Sequence, residues 1–473
     1  MRSVGRLPRA GSSGLALVGL LTADMIYGFQ QTAITPVLPV VQQDLGASRE
    51  WTVWLFSGYL IVASVAPVFL GKLADRVGQR RVYLGSLLVF LVGSIGAALA
   101  PTIHLLVFCR LVQGVGGVVF PLSFAMATGL LSRDRVTSGI GLLTGSFGVG
   151  ALLGFPFGGL ISQTLSWRWI FGVGAVALAL AMLLVRLTIP STPPRERRGL
   201  DTPGAVLFGG AMAALIVAIT EGPQRGWAAP LPVGMFVLAA VAGVCWYFRE
   251  MNTTEPLMDL RVLRSRGVLL TNVTALLGGY AVFGINIMLP YLLQGAGASE
   301  SMSLFGLAAG PLLTGVVLLP RALGQVVGGP LTNPLVKLFG PATPFAAGMV
   351  LVTLATCGLA FARDELWMIF VELAALGLGF GLTVSLSGSI VALAAEPGQT
   401  GIATSITTVL RRAGGGVGAQ VSVAVLAAIT LPGGDEPAPE AFTVAFGIAA
   451  AVALAGAVTA AFVAPRRVAS REP

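Results

Sequence analysis

Charge is what this sequence has least of. Across 473 residues, Asp, Glu, Lys and Arg make up 10% and hydrophobic residues 55%, against roughly 25% charged residues in soluble domains. So few charges cannot cover the surface of an ordinary soluble protein. A length of this order suits several soluble domains of about 100–200 residues, yet no long polar linker separates any. Histidine occurs once, as His104, and lysine twice, as Lys72 and Lys337. Cys109, Cys245 and Cys357 each sit in an apolar run without CxxC spacing, which gives neither a zinc site nor a disulfide framework. No GxxxxGK[ST] phosphate loop is present, which argues against an ATP-driven pump. No HExxH, nucleophile elbow or paired-carboxylate centre marks an enzyme, and no cofactor or metal is implied.

What is present is apolar sequence in runs long enough to cross about 30 Å of hydrocarbon at 1.5 Å per residue. They fall near 14–40, 51–70, 82–100, 103–130, 137–163, 169–189, 203–221, 231–248, 267–294, 304–330, 342–362, 366–395, 400–430 and 441–464. This predicts an all-α polytopic membrane protein with about fourteen transmembrane helices. The arginines of Met1–Ser13 could open a signal peptide, but the run that follows is too long and lacks an A-x-A site.

The net charge of +9 could be read as a nucleic-acid footprint. Its distribution points elsewhere, because the basic residues are spread through short loops with no interleaved aromatic face. Of 29 cations, four lie inside spans (Arg110, Arg321, Arg411, Arg412) and four in loops on the side opposite the termini (Arg49, Arg168, Arg225, Arg363). The rest share the side of the termini, so the positive-inside bias predicts that both termini are cytoplasmic. Polar stretches at 189–202 and 249–266 bracket one pair of spans and divide the series 6 + 2 + 6. The expected organisation is a cytoplasmic N-terminus at 1–13, a six-helix half at 14–189, two additional helices at 190–266, a second six-helix half at 267–464 and a cytoplasmic tail at 465–473. GKLADRVG at 71–78 echoes NPLVKLFG at 333–340 at the same point of each half. Repeated six-span halves are a common transporter plan, with the substrate site near the midplane between them.

The loop after the second span reads Gly71-Lys-Leu-Ala-Asp75-Arg76-Val-Gly78-Gln-Arg80-Arg81 and closely resembles the cytoplasmic signature of the major facilitator superfamily. Gly71 and Gly78 would let helix ends approach, and Asp75 could meet helix N-termini or an arginine at an inner gate. Arg110-Leu-Val-Gln113-Gly114-Val-Gly116-Gly117 is similar to the superfamily's RxxQGxG pattern. An arginine inside an apolar span is a functional candidate, with snorkelling to the headgroups as the alternative. The fifth span carries Gly141-x8-Gly150-x3-Gly154-Phe-Pro156-Phe-Gly158-Gly159. It resembles the GX8GX3GPX2GG motif of antiporter branches, with the proline one place late. Its small residues form a groove for close helix packing, as small-xxx-small spans do generally. Trp167-Arg168-Trp169 and Pro256-Leu257-Met258-Asp259 resemble landmarks of the fourteen-helix drug:proton antiporter family, the tryptophans suiting an interfacial belt. The resemblance implies a major facilitator fold in the cell membrane, monomeric, exchanging protons for a small amphiphilic or drug-like substrate across the lipid bilayer, with no nucleic-acid partner.

The chain departs from that family in its first span. Before Thr32-Ala-Ile-Thr-Pro36-Val-Leu38-Pro39 the family has an aspartate where this sequence has Gln30. Asp24 lies six residues earlier, about 9 Å along the helix and about 120° round. A carboxyl near mid-bilayer suits proton exchange, which makes Asp24 the first candidate for proton coupling; a structural partner for Arg110 is the competing reading. Tyr27, Gly28, Gln31 and Thr35 share its face by spacing. Glu372 is the other acid inside a span, near its outer end. His104 begins the fourth span and reads as an interfacial polar residue. Tyr280, Phe283 and Asn286 on the ninth span could line a cavity or simply pack, and Tyr27, Gln30, Gln31 and Gln113 complete the expected cavity set with Arg411 and Arg412. Intramembrane cations outnumber acids four to two, which favours a neutral or anionic amphiphile. The expected function is therefore proton-coupled efflux, with export of a lipid or anionic amphiphile second and a non-transporting scaffold or sensor third.

Overall fold

The apolar runs become long helices, some of which continue through a proline, as at Pro67, Pro156 and Pro290. The structure is a computed structural model that describes residues 10–131, 133–190, 202–253, 265–294, 310–363, 365–394, 400–431 and 436–463. Its helices are α1 (Ala10–Thr32), α2 (Leu38–Asp44), α3 (Arg49–Val77), α4 (Gln79–Ala98), α5 (Ile103–Gly114), α6 (Val119–Leu130), α7 (Arg133–Thr164), α8 (Arg168–Thr188), α9 (Thr202–Arg225) and α10 (Pro230–Asn252). They continue with α11 (Arg266–Gln294), α12 (Pro311–Val317), α13 (Leu319–Phe339), α14 (Ala342–Phe361), α15 (Leu366–Ala394), α16 (Thr400–Ala428) and α17 (Pro439–Ala461). Among the described residues there is no strand, only one isolated bridge between Thr430 and Pro437.

α5 with α6 forms one span, and α12 with α13 another, so these segments make fourteen spans. Eleven of them are long and apolar enough to cross a membrane by length and composition. α1, α9 and α16 are not in that set, α9 keeping only a shorter apolar stretch at Val206–Leu215. α1 and α16 are diluted by polar side chains, α1 by Asp24, Gln30 and Gln31 and α16 by Arg411, Arg412 and Gln420.

Three spans are broken where the sequence reading expects continuous helix. α1 ends at Thr32, and the chain passes through a 3-10 turn, Thr35–Val37, into the short α2. Pro36 and Pro39 each occupy a first-turn position there, where a missing N–H costs nothing. Thr35 therefore lies off the α1 register and is not part of the face that carries Asp24. In the fourth span, a 3-10 segment over Val115–Val118 separates α5 from α6. In the tenth, Leu318 separates α12 from α13, which has Pro320 in its first turn.

The chain divides into two compact units, Met1–Val206 with Gly306–Val316, and Leu207–Phe305 with Val317–Pro473. Within the first, the neighbouring pairs include α1 with α7, α3 with α5, α4 with α8, α1 with α8 and α4 with α5. Within the second they include α11 with α16, α13 with α15, α14 with α17, α11 with α17 and α14 with α15. Counted by spans these are the same five pairings: first with fifth, second with fourth, third with sixth, first with sixth and third with fourth. The echoed octapeptides end at the same turn of each set. Gly78 at φ +107° and Gly340 at φ +74° close their helices by donating N–H to Ala74 and Val336. That positive φ is why glycine ends both repeats.

Candidate functional site

α1 is held by glycine. Cβ atoms added at Gly150, Gly154 and Gly158 of α7 would collide with backbone or side chain of α1 at Met25, at Thr32 and Phe29, and at Ala33. Gly28 of α1 is equally close to the carbonyl of Phe147, and Thr32 Oγ1 donates to the carbonyl of Ala151 at 2.8 Å. The antiporter-type stripe is thus a backbone-to-backbone seam that fixes α1. Gly159 and Gly315 extend it, Gly159 lying against Pro311 and Gly315 against Phe155 and Pro156. Gly141 takes no part, since a Cβ there meets nothing within 4 Å.

The buried polar residues of α1 fall into two separate clusters. In the first, Asp24 is fully buried, and its Oδ1 accepts from Ser123 Oγ of α6 at 2.9 Å. Ser123 Oγ is in turn 3.0 Å from Tyr83 OH of α4. Asp24 Oδ2 has no hydrogen-bond partner among the described residues.

The second cluster lies near Gln30. Gln113 Nε2 donates to Gln30 Oε1 and Ser94 Oγ, both at 2.8 Å, and Ser94 Oγ donates to Gln30 Oε1 at 3.1 Å. Arg110 donates through Nη1 to Gln113 Oε1 at 2.8 Å and through Nε to the Leu55 carbonyl at 3.0 Å. Its guanidinium lies 4.3 Å from the Tyr59 ring centroid, a distance suited to cation–π attraction. All four polar residues are fully buried. Arg110 does not snorkel, and no ion pair joins it to Asp24 among the described residues. Asp24 as the counter-ion of Arg110, one of two readings of the sequence, is not the arrangement found.

Tyr27 is buried with its ring 5.7, 6.1 and 6.4 Å from those of Phe147, Phe90 and Tyr59. Gln31 is half-buried, with Oε1 unpartnered among the described residues. In the second unit, a close seam joins α11 and α16. Gly279 lies against Arg411, Gly414 against Leu276 and Gly418 against Tyr280. Phe283 is packed by Gly415 and by Phe380 at 6.1 Å, so its ring is engaged in helix packing. Asn286 is buried, its Oδ1 without a hydrogen-bond partner among the described residues. Arg411 and Arg412 are half-buried, and Arg411 Nη2 donates to Thr408 Oγ1 at 3.3 Å. Glu372 of α15 is half-buried, its Oε1 against Gly358 and its Oε2 without a partner among the described residues. His104 is exposed with its ring 4.4 Å from that of Trp51.

At the gate motif, Arg76 and Arg81 are exposed, and Arg80 Nη2 donates to the Arg186 carbonyl at 2.5 Å, closing the end of α8. The side chain of Asp75 lies outside the described residues. The glycines differ from the expected role. Gly71 has nothing within 4 Å of an added Cβ, and Gly78 serves the positive φ of a helix end.

Four polar partners escape the sequence reading: Ser94, Ser123, Tyr83 and Asp44. Ser123 is the only polar side chain between Val115 and Met126, and that isolation is the signal that could have singled it out. Asp44, at the end of α2, accepts from Trp167 Nε1 at 2.9 Å and pairs with Arg168 at 2.7 Å. These donors hold its carboxyl below the usual carboxylate range, Arg168 contributing most. Trp167 is buried, contrary to a belt position, whereas Trp169 is 55% exposed.

Fourteen helical spans in repeated six-span pairings, with a glycine seam fixing a first span that carries buried polar clusters, define a polytopic transporter. The chain belongs to the Major Facilitator Superfamily, whose family model matches residues 20–322, and it is a multi-pass membrane transporter, not an enzyme. It is 30% identical over 392 residues to a multidrug resistance protein B homolog of Mycobacterium tuberculosis, covering 79% of this chain and 69% of that protein. It is 29% identical to the puromycin resistance protein pur8 of Streptomyces alboniger, covering 94% and 90%. The tetracenomycin C resistance and export protein of Streptomyces glaucescens is 28% identical, covering 88% and 77%. A crystal structure of a POT peptide transporter in complex with sulfate shares the fold, with a TM-score of 0.71 and 17% identity over 95% of this chain and 94% of that one.

Proposed function

We propose that this protein is a proton-coupled exporter of a small amphiphilic, drug-like compound, working by alternating access in the cell membrane with both termini in the cytoplasm. The observation that carries the reading is the Asp24 carboxyl: fully buried in the first span and, among the described residues, paired with no cation and with one oxygen left open. A charge buried at membrane depth is expensive. Gaining or losing one proton there changes which facing state is favoured, which is the differential interaction that coupling requires. The names of the relatives, resistance and export proteins, support a drug-like substrate. The cytoplasmic bias of the basic loops supports the orientation.

Of the residues assigned to the gate, Asp75, Arg76, Arg80 and Arg81 latch the cytoplasmic side in this reading. The Gly150 to Gly159 seam limits leak by holding α1 against α7. The second reading, export of a lipid or anionic amphiphile, rests on the arginines inside the spans, of which Arg110 and Arg321 are 0% and 5% exposed; the acids Asp24 and Glu250 are buried to the same degree, at 0% and 4%.

The test uses everted membrane vesicles holding an acid-inside pH gradient, with a fluorescent reporter of proton release. Cationic, neutral and anionic amphiphiles are added in turn to wild type and to Asp24→Asn. The account expects compound-dependent proton release that Asp24→Asn loses. Release only with anionic compounds selects the second reading, and equal release from both proteins removes Asp24 from the coupling role.

A further inference from the structure

The α1 carboxyl has a second and a third group behind it. We propose that Ser123 and Tyr83 are positioning residues for Asp24, a chain of two hydroxyls that orients the carboxyl and leaves Oδ2 as the oxygen that gains and loses the proton. This inference rests on the reading of Asp24 as the proton site. Its basis is the line of contacts from Tyr83 OH to Ser123 Oγ, 3.0 Å, and from Ser123 Oγ to Asp24 Oδ1, 2.9 Å. All three side chains are fully buried and come from three helices, α4, α6 and α1.

A serine hydroxyl has one hydrogen and two acceptor lone pairs. When Ser123 gives its hydrogen to an ionised Asp24, its oxygen is free to accept from Tyr83, so both donors point towards the carboxylate. Chains of this kind polarise one another, and a donor to an ionised group is worth more than one to a neutral group. The ionised carboxylate is thus held through Oδ1 alone. Protonation at Oδ2 leaves the chain in place and removes the charge, so the proton can be exchanged without breaking the three-helix contact.

The setting isolates this chain from other charges. Apart from Ser123 and Tyr83, no described titratable or charged group acts on Asp24 from α4, α6, α7 or α8. Arg110 is committed to Gln113 and Leu55. On α1 itself, Tyr27 follows one turn later with its ring among Tyr59, Phe90 and Phe147. Gly150 against Met25 fixes the backbone beside the carboxyl.

The experiment is an infrared pH titration of the purified full-length protein, reading the C=O stretch of a protonated carboxyl. The band lost in Asp24→Asn identifies the group. Ser123→Ala removes a donor to the ionised form, so the midpoint of that band moves to higher pH by about one unit, and its frequency changes as Oδ1 loses its bond. Tyr83→Phe, which preserves ring volume, moves the midpoint the same way by less. Ser123→Thr keeps the hydroxyl and restores the wild-type midpoint. Unchanged midpoint and frequency in both Ser123→Ala and Tyr83→Phe overturn the chain while leaving Asp24 as the titrating group. Absence of any titrating band that Asp24→Asn removes overturns the proton-site reading and the chain with it.

Discussion

Asp44 is the acid whose electrostatics can be followed outside the spans. Its carboxyl is held low by donors from Arg168 and Trp167, so it binds fewer protons folded than unfolded. The stability it contributes is present above the ordinary carboxylate value and is lost as pH falls through the lowered folded value. The Arg168 and Asp44 side chains are 35% and 45% exposed, and solvent screening limits such a pair to about 1 kcal/mol or less. Asp44→Asn is expected to lower the Tm of the purified protein slightly at pH 7. That difference should vanish when the melts are repeated in acid below the usual carboxylate range. Gly78 gives a larger effect for a different reason: a side chain at φ +107° is strained by about 1–3 kcal/mol. Gly78→Ala should therefore lower Tm more than Gly71→Ala does.

At the scale of the element, the α1–α7 seam makes the sharpest contrast. Gly141 and Gly154 belong to one sequence motif, yet an added Cβ meets nothing at the first and collides with Thr32 at the second. Gly141→Ala should leave membrane level and transport unchanged. Gly154→Leu overpacks the seam, a class of change costing about 1–3 kcal/mol, and should cut folded protein or export severalfold in a parallel expression and efflux assay. What the sequence made legible follows the same division. Apolar runs placed every span because length and hydropathy are summed over some twenty residues. The breaks at Thr32 to Leu38, at Val115–Val118 and at Leu318 were not placed, because single prolines and local backbone choices set them. Asp24 was legible as an acid in an apolar run. Its partner Ser123 is 99 positions away and looks neutral in sequence, so only the fold joins them. Trp167 was misread because an aromatic at a helix start gives no sign of a carboxylate on α2 waiting for its N–H.

For the whole molecule, the five span pairings of the first unit recur in the second, but the chemistry does not. The first unit holds an isolated carboxyl and a separate arginine cluster. Buried in the spans of the second are Glu250, Asn272, Asn286, Arg321 and Gln420, with Glu372 only half-buried. In the proposed reading, this duplicated scaffold with unlike polar content carries proton exchange on the Asp24 side of the first unit. The most direct test separates binding and movement from coupling. Reconstituted wild type and Asp24→Asn would each be assayed for substrate exchange without a pH gradient and for accumulation driven by an acid-inside gradient. The account predicts that Asp24→Asn retains exchange and loses the driven accumulation; driven accumulation at the wild-type level in Asp24→Asn would contradict it.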